Sequence, residues 1–339
     1  MSRHVIYLPL VFRFLANLMT PITPHTHPHG IVTLDAEYVR PGLAAVHLII
    51  EQGHAAIVDT GTHSAVPHVL AALAARGVTS DKVDYVIVTH VHLDHAGAAG
   101  AFLVACPNAK LVVHPRGAPH MIDPTKLVQG SMAVYGETVF RELYGEIVPA
   151  PAARVIEADD GYKLDFNGRR LEFIDTPGHA RHHYCIHDIA SNSLFTGDTF
   201  GISYREFDVE VGNTRRPFIF PTTTPVQFEP AALHASIDRL VARNAEAAYL
   251  THYGRVEQLA TLAPDLHELI DAYVALTRSV AGAGEARLEA LRQAMGELLL
   301  TRLRSHGCTL DDATCRDLLA NDVDLNCQGL LVWLDRETR

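Results

Sequence analysis

The sequence predicts an α+β fold in which two β-sheets pack together with helices outside them, followed by a helical appendage at the C-terminal end. Three observations predict it. Each half of residues 31–263 runs through short apolar strands, then a loop, then a helix. From about Pro264 the apolar spacing becomes helical. A chain of 339 residues with 48% hydrophobic composition can bury a large domain and an appendage without disulfides. Strand and helix alternation alone would equally fit a doubly wound sheet.

Residues 1–30 are set apart as an N-terminal arm and a linker. The stretch "VIYLPLVFRFLANLM" resembles a signal h-region, but Pro9 and Arg13 interrupt it and no A-x-A pattern follows. It is too short to span a bilayer, so it is assigned as a docking or disordered arm, with a secreted form as the alternative. "PHTHPH" (24–29) reads as a solvated linker, because no apolar strand holds it still.

The structured part is expected from Ile31. "AAVHLIIE" (44–51) and "HAAIVDTG" (54–61), joined by "QG", read as a hairpin. "PHVLAALAARG" is Ala-rich and stopped by Gly77, as a helix should be. "VDYVIVTH" (83–90) is a strand buried on both faces, and "KLVVHP" (110–115) repeats the strand-then-loop pattern. Residues 126–145 read as one or two helices capping the loops. The second half supplies strands in 169–188 and 193–201, a helix over 231–243 and a strand over 247–254. Residues 264–339 are expected to form helices, the last two short ones around "DDATCRDLLA" and "NCQGLLVWLDR". They would form a packed appendage or a homo-oligomer surface, with a lid over substrate as the alternative.

Composition narrows the function. A net charge of −11 gives no concentrated Lys and Arg for gripping nucleic acid, and no stable membrane insertion is expected. Cys106, Cys185, Cys308, Cys315 and Cys327 are scattered and form no CxxC pair, so they read as reduced thiols in a cytoplasmic protein.

The informative stretch is "VTHVHLDHAGAAG" (88–100). A buried strand ending at His90 leaves alternate side chains free to converge at the sheet edge. His90 and His92 then project together, and the small-residue segment "AGAAG" lets Asp94 and His95 approach the same region, with Gly97 permitting close packing. Ionisable groups gathered at the end of a buried strand need a partner, and three neutral imidazoles with a carboxylate suit Zn²⁺, or iron or manganese. His179 in "FIDTPGH", Asp198 in "LFTGD" and His252 in "YLTH" each follow an apolar run and are the further candidates.

"THVHLDH", then "TPGH", "TGD" and "THYG", in that order, resembles the metallo-β-lactamase superfamily over roughly residues 31–255. The resemblance implies a four-layer αββα sandwich of two mixed sheets as the catalytic domain, 31–263, with two divalent metal ions between loops at one sheet edge. It implies that His90, His92 and His179 hold one ion, that Asp94, His95 and His252 hold the other, and that Asp198 bridges them. Asp59 in "IVDTG" matches a residue that orients the metal-binding loop. His183 matches the second histidine of a "PGHxxxH" extension with unusual filling, so His182 and His183 are kept as supporting or core residues.

Two such ions, about 3.5 to 4 Å apart, can hold a bridging hydroxide and polarise a carbonyl. Asp94 would also orient that nucleophile. Asp198 stands where true β-lactamases of the superfamily carry cysteine or serine, so the resemblance points to glyoxalase II-like thioesterases and lactonases, with a small-molecule ester, thioester or lactone as substrate. No glutathione-binding basic set is recognisable in the acidic C-terminal region. A mononuclear iron enzyme of the persulfide dioxygenase type, using His90, His179 and Asp198, is the alternative, with a phosphodiesterase or nuclease behind it. Tyr135, Tyr204 and Arg205 lie in segments that could wall a pocket, although packing or surface roles are the simpler assignment.

Overall fold

The computed structural model describes residues 23–212, 214–223 and 227–338. The apolar arm at 5–19 lies outside them. Residues 25–26 do not behave as free linker: His25–Thr26 (β1) pairs antiparallel with Ile31–Asp35 (β2), and His27 Nε2 lies 2.9 Å from Thr33 Oγ1. His25 and His29 stay exposed and His27 is half-buried, and the backbone extends the sheet.

The chain packs as two compact units that interleave in sequence. The first takes in the residues through Asp175, with His182–Gly197 and Glu246–Arg255; the second takes in Thr176–Arg181, Asp198–Ala245 and Val256–Arg339.

The first unit contains the two mixed sheets. β1 and β2 lead to Ala45–Glu51 (β3), His54–Val58 (β4), Val83–Ile87 (β5), Lys110–Val113 (β6) and Val155–Glu157 (β7), in spatial order. β3 and β4 form the hairpin expected from "QG", with Gln52 and Gly53 both at positive φ. From β4 onward the neighbours run parallel, which requires crossovers. Ala65–Ala74 (α1) supplies the first, and Leu93–Ala96 (α2) with Ala99–Ala105 (α3) the second; α3 packs on β5 and β6. Ala118–Ile122 (α4), Thr125–Tyr135 (α5) and Glu137–Tyr144 (α6) fill the third, so the 126–145 segment is two helices broken at Gly136, where φ is +81°.

The second sheet is built from Lys163–Phe166 (β8), Arg169–Asp175 (β9), Tyr184–Asp188 (β10), Ser193–Gly197 (β11) and Ala247–Leu250 (β14), in that order, with Gly254–Glu257 (β15) beyond β14. Ile31, Ile49, Val58, Ile87 and Val112 of the first sheet share one core with Phe166, Phe173, Ile186, Phe195 and Tyr249 of the second. That shared core is what makes two sheets cheaper than one here: each buries its inner face against the other.

β11 and β14 are parallel, so the chain between them also crosses over, and that crossover belongs to the second unit. It carries the small hairpin Val209–Val211 (β12) and Thr214–Arg216 (β13), then Pro230–Val241 (α7). The rest of the second unit is Leu259–Ser279 (α8), Gly284–His306 (α9) and Asp312–Glu337 (α10). The helical stretch expected from Pro264 therefore begins at Leu259, with the proline in its second turn.

The two short terminal helices of the sequence reading are one continuous helix, α10, capped by Asp311 through Thr314 N. Asp322 and Asn326 interrupt the apolar stripe of this helix. Both are buried with partners: Tyr204 Oη donates to Asp322 at 3.1 Å, and Thr223 N donates to Asn326 Oδ1 at 2.6 Å. Among the described residues no helix is long and apolar enough to cross a membrane.

Candidate metal centre

β4 and β5 are parallel neighbours, so their C-terminal ends lie side by side, and Asp59 N donates to Ile87 O at 2.8 Å. The chain turns at Asp59, where φ is +52°, a conformation that Asp tolerates better than most residues. Asp59 is fully buried. Its carboxylate accepts from Thr89 N (2.8 Å), Thr89 Oγ1 (3.0 Å), His95 Nδ1 (2.9 Å) and Thr251 Oγ1 (2.6 Å). Two segments that are far apart in sequence, 89–95 and 251, are thus tied to one side chain.

These bonds assign the imidazole tautomers. A carboxylate can only accept, so His95 carries its hydrogen on Nδ1 and presents an Nε2 lone pair. The Thr89 hydroxyl hydrogen is committed to Asp59, so Thr89 Oγ1 accepts from His90 Nδ1 at 3.2 Å. His90 Nε2 is left as a lone pair, 2.7 Å from Nδ1 of His92. His252 Nδ1 donates to the carbonyl of Leu43 at 2.7 Å, which leaves a lone pair on its Nε2 in the same way.

His252 Nε2 lies 3.3 Å from His95 Nε2 and 3.2 Å from Asp94 Oδ2, and Asp94 Oδ2 lies 3.6 Å from His95 Nε2. Two nitrogen lone pairs and a carboxylate oxygen aimed at one another repel unless a proton or a metal ion lies among them. The donor set of Asp94, His95 and His252, with ligand atoms all within 4.8 Å, fits a divalent metal ion.

The second unit positions the other two candidates. His179 Nδ1 donates to Thr222 O at 3.2 Å, and its Nε2 faces Asp198 Oδ2 at 3.3 Å. The "TPGH" loop is held against α7: Glu229 N donates to Gly178 O, and Ser236 Oγ donates to Pro177 O at 2.6 Å. Gly178 has φ +132°, and a Cβ there would stand 2.3 Å from the backbone nitrogen of Leu233.

The remaining sequence candidates divide. His183 is fully buried, with its ring 4.9 Å from that of His90; a Cβ on Gly197 would meet its Nε2 at 2.6 Å. His182 sets its ring 5.5 Å from that of His92. Tyr135 sets its ring 5.8 Å from that of Tyr144, whose hydroxyl is 2.9 Å from that of Tyr38. Burial above all, and then nearby groups including Asp94, hold the Tyr38 and Tyr144 phenols protonated well above the usual range. Tyr204 and Arg205 have packing roles, Tyr204 on Asp322 and Arg205 on Ser203 and Asp208.

The sequence reading missed Thr89 and Thr251, which brace the site through Asp59. A signal for them exists: each stands immediately before a candidate histidine at a strand end, in "VTH" and "LTH". The carbonyls of Leu43 and Thr222 carry no residue-type signal.

Residues 39–252 match the family model described as the metallo-beta-lactamase superfamily. A metallo-beta-lactamase fold-containing protein of Sulfurisphaera tokodaii is 27% identical over 202 residues, 58% of this chain and 67% of the relative. A hydroxyacylglutathione hydrolase of Aeromonas hydrophila is 28% identical over 58% of this chain, a match that spans 56% of its own length. Among solved structures, a metallo-beta-lactamase family protein of Thermus thermophilus shares the fold at a TM-score of 0.60, with 21% identity and coverage of 91% of this chain and 94% of that one.

Proposed function

The chain belongs to the metallo-beta-lactamase superfamily, and from that premise we propose that it is a dinuclear metal-dependent hydrolase of a small-molecule ester, thioester or lactone. The observation that carries the proposal is the convergence of lone pairs at Asp94, His95 and His252, fixed from behind by Asp59 and Leu43. By the motif positions of the superfamily we assign these three to one ion, and His90, His92 and His179 to another, with Asp198 shared between them. When bound, two divalent ions, Zn²⁺ in the first instance, supply an activated water and polarise the scissile carbonyl.

The chain's own groups do the rest. Asp59 holds His95 directly and His90 through Thr89, so both rings keep their tautomer as charge at the site changes. Asp94 is partly exposed and can orient the attacking water. Tyr38 and Tyr144, kept neutral by burial, hydrogen-bond each other, which leaves one phenol hydrogen to donate. The likeness to a hydroxyacylglutathione hydrolase supports the hydrolase reading. The net charge of −11 supports a small molecule over nucleic acid as partner, and five buried cysteines that form no disulfide support a cytoplasmic setting.

Metal analysis of protein expressed in mixed metals, followed by a panel of thioesters, lactones, β-lactams and phosphodiesters, tests the proposal. The expected result is close to two metal equivalents per chain that survive brief chelation, and turnover of the first two classes. A single iron per chain, with oxygen uptake on persulfides, would overturn it.

A further inference from the structure

Two helices of the second unit carry the same hexapeptide pattern, Leu-His-x-x-Ile-Asp, at 233–238 in α7 and 266–271 in α8. Leu233, Ile237, Leu266 and Ile270 are buried where the two helices pack. One position further on, His234 and Asp238 line the flank of one helix and His267 and Asp271 the flank of the other, each pair at i, i+4. The histidine side chains are about a quarter exposed, and the two aspartates are open to solvent.

The pairs bond crosswise. His234 Nε2 lies 3.1 Å from Asp271 Oδ1, and His267 Nε2 lies 3.0 Å from Asp238 Oδ1. The two Nδ1 atoms are 2.6 Å apart, with ring centroids at 4.8 Å and planes 15° from parallel. Those values put both nitrogens almost on the line joining the ring centres, each pointing at the other.

Carboxylates only accept, so both Nε2 atoms carry hydrogen, and in the neutral rings both Nδ1 atoms then present lone pairs head-on. A cation between them removes the conflict. A shared proton would bring one positive charge between the two nitrogens, and a divalent ion brings two, next to two ionised carboxylates. Each imidazole also stands between a carboxylate and the opposing nitrogen, the arrangement by which outer carboxylates orient histidine ligands on metals.

We propose that Nδ1 of His234 and Nδ1 of His267 clamp a borderline divalent cation such as Zn²⁺, with water completing its shell, at a surface site separate from the hydrolytic centre. Zn–N bonds of about 2.0–2.1 Å spread the two nitrogens beyond 2.6 Å, a movement that two partly exposed side chains can make. The ion ties α7 to α8, and α7 is the helix whose Leu233 and Ser236 seat the loop carrying His179.

The test is calorimetric titration of Zn²⁺ into holoenzyme already loaded at its catalytic ions, comparing wild type with His234→Ala and His267→Ala. Wild type is expected to take up one more equivalent than either variant, and to gain thermal stability from zinc that they do not gain. Asp238→Asn combined with Asp271→Asn should weaken the uptake about 10- to 100-fold. Equal stoichiometry in wild type and both histidine variants would overturn the site, whatever the hydrolase assay gives, and a shared N–H···N proton in imidazole spectra of zinc-treated protein would do the same.

Discussion

Asp59 Oδ2 stands 2.9 Å from Nδ1 of His95, and both side chains are completely buried. A buried carboxylate is costly unless its lone pairs are filled, and here four donors fill them. Asp59→Asn keeps the shape but sets amide hydrogens against those donors and releases the His95 tautomer. Metal affinity should fall about 10- to 100-fold, measured by competition with a chromogenic chelator. Affinity equal to wild type would remove Asp59 from its orienting role.

Asp198 faces His179 at 3.3 Å within the second unit, and the proposed function gives its carboxylate to both ions. Asp198→Ala should bring turnover to background and lower metal content, while the helical circular dichroism from α8, α9 and α10 is unchanged. Retained turnover with full metal content would refute the shared assignment.

Gly178 shows why the "TPGH" loop needs glycine. Its φ of +132° disfavours any side chain, and a Cβ would press on the backbone of α7 at Leu233. Gly178→Ala should destabilise the protein by about 1–3 kcal/mol and impair activity as the loop shifts His179. Gly53, at φ +78° with nothing within 4 Å of a built Cβ, is the control. Gly53→Ala meets only backbone strain, on the order of 1 kcal/mol, and should spare activity. Equal losses in urea denaturation for the two variants would mean that crowding at α7 is not the cause.

The strand ends were legible in the sequence because a buried strand followed by ionisable residues is rare for a physical reason, and β4, β5, β11 and β14 all lie within the runs that signalled them. The candidate imidazoles and carboxylates stand out for the same reason, and Asp94, His95 and His252 converge. The hydrogen bonds that fix them could not, since Leu43 and Thr222 act through backbone carbonyls that any residue would supply. Helix α10 runs through Asp322 and Asn326 as one element, where two short helices are expected from sequence; the partners that let these two residues be buried, Tyr204 and Thr223, lie over a hundred residues away in the chain. The short strands β7, β12, β13 and β15 have too few residues for a pattern to show. The paired "LHASID" and "LHELID" segments carry a period that reads as two amphipathic helices, and only their packing brings the histidines face to face.

His47 makes stability pH-dependent in a direction that can be worked out. Its ring is buried in the first unit, with Nδ1 3.1 Å from Thr33 Oγ1 and Nε2 donating to Leu250 O at 3.1 Å, so it joins the first sheet to β14 of the second. Burial pushes its pKa down to about 4, against about 6.5 in the unfolded chain. Between those values the unfolded chain binds a proton that the folded one refuses, so stability rises with pH there. The contribution is complete above about 6.5 and is lost as pH falls toward 4, by roughly 3 kcal/mol in all. His27, lowered to about 3 chiefly by burial, acts in the same direction. His47→Leu should therefore cost about 1 kcal/mol at pH 8 through the lost bond to Leu250, yet show a shallower fall between pH 7 and 4.5 than wild type. Because the metal-site histidines are common to both proteins, the difference between their urea midpoints across that range reports His47 together with the part of the His27 shift that His47 causes, and parallel curves would sink the assignment.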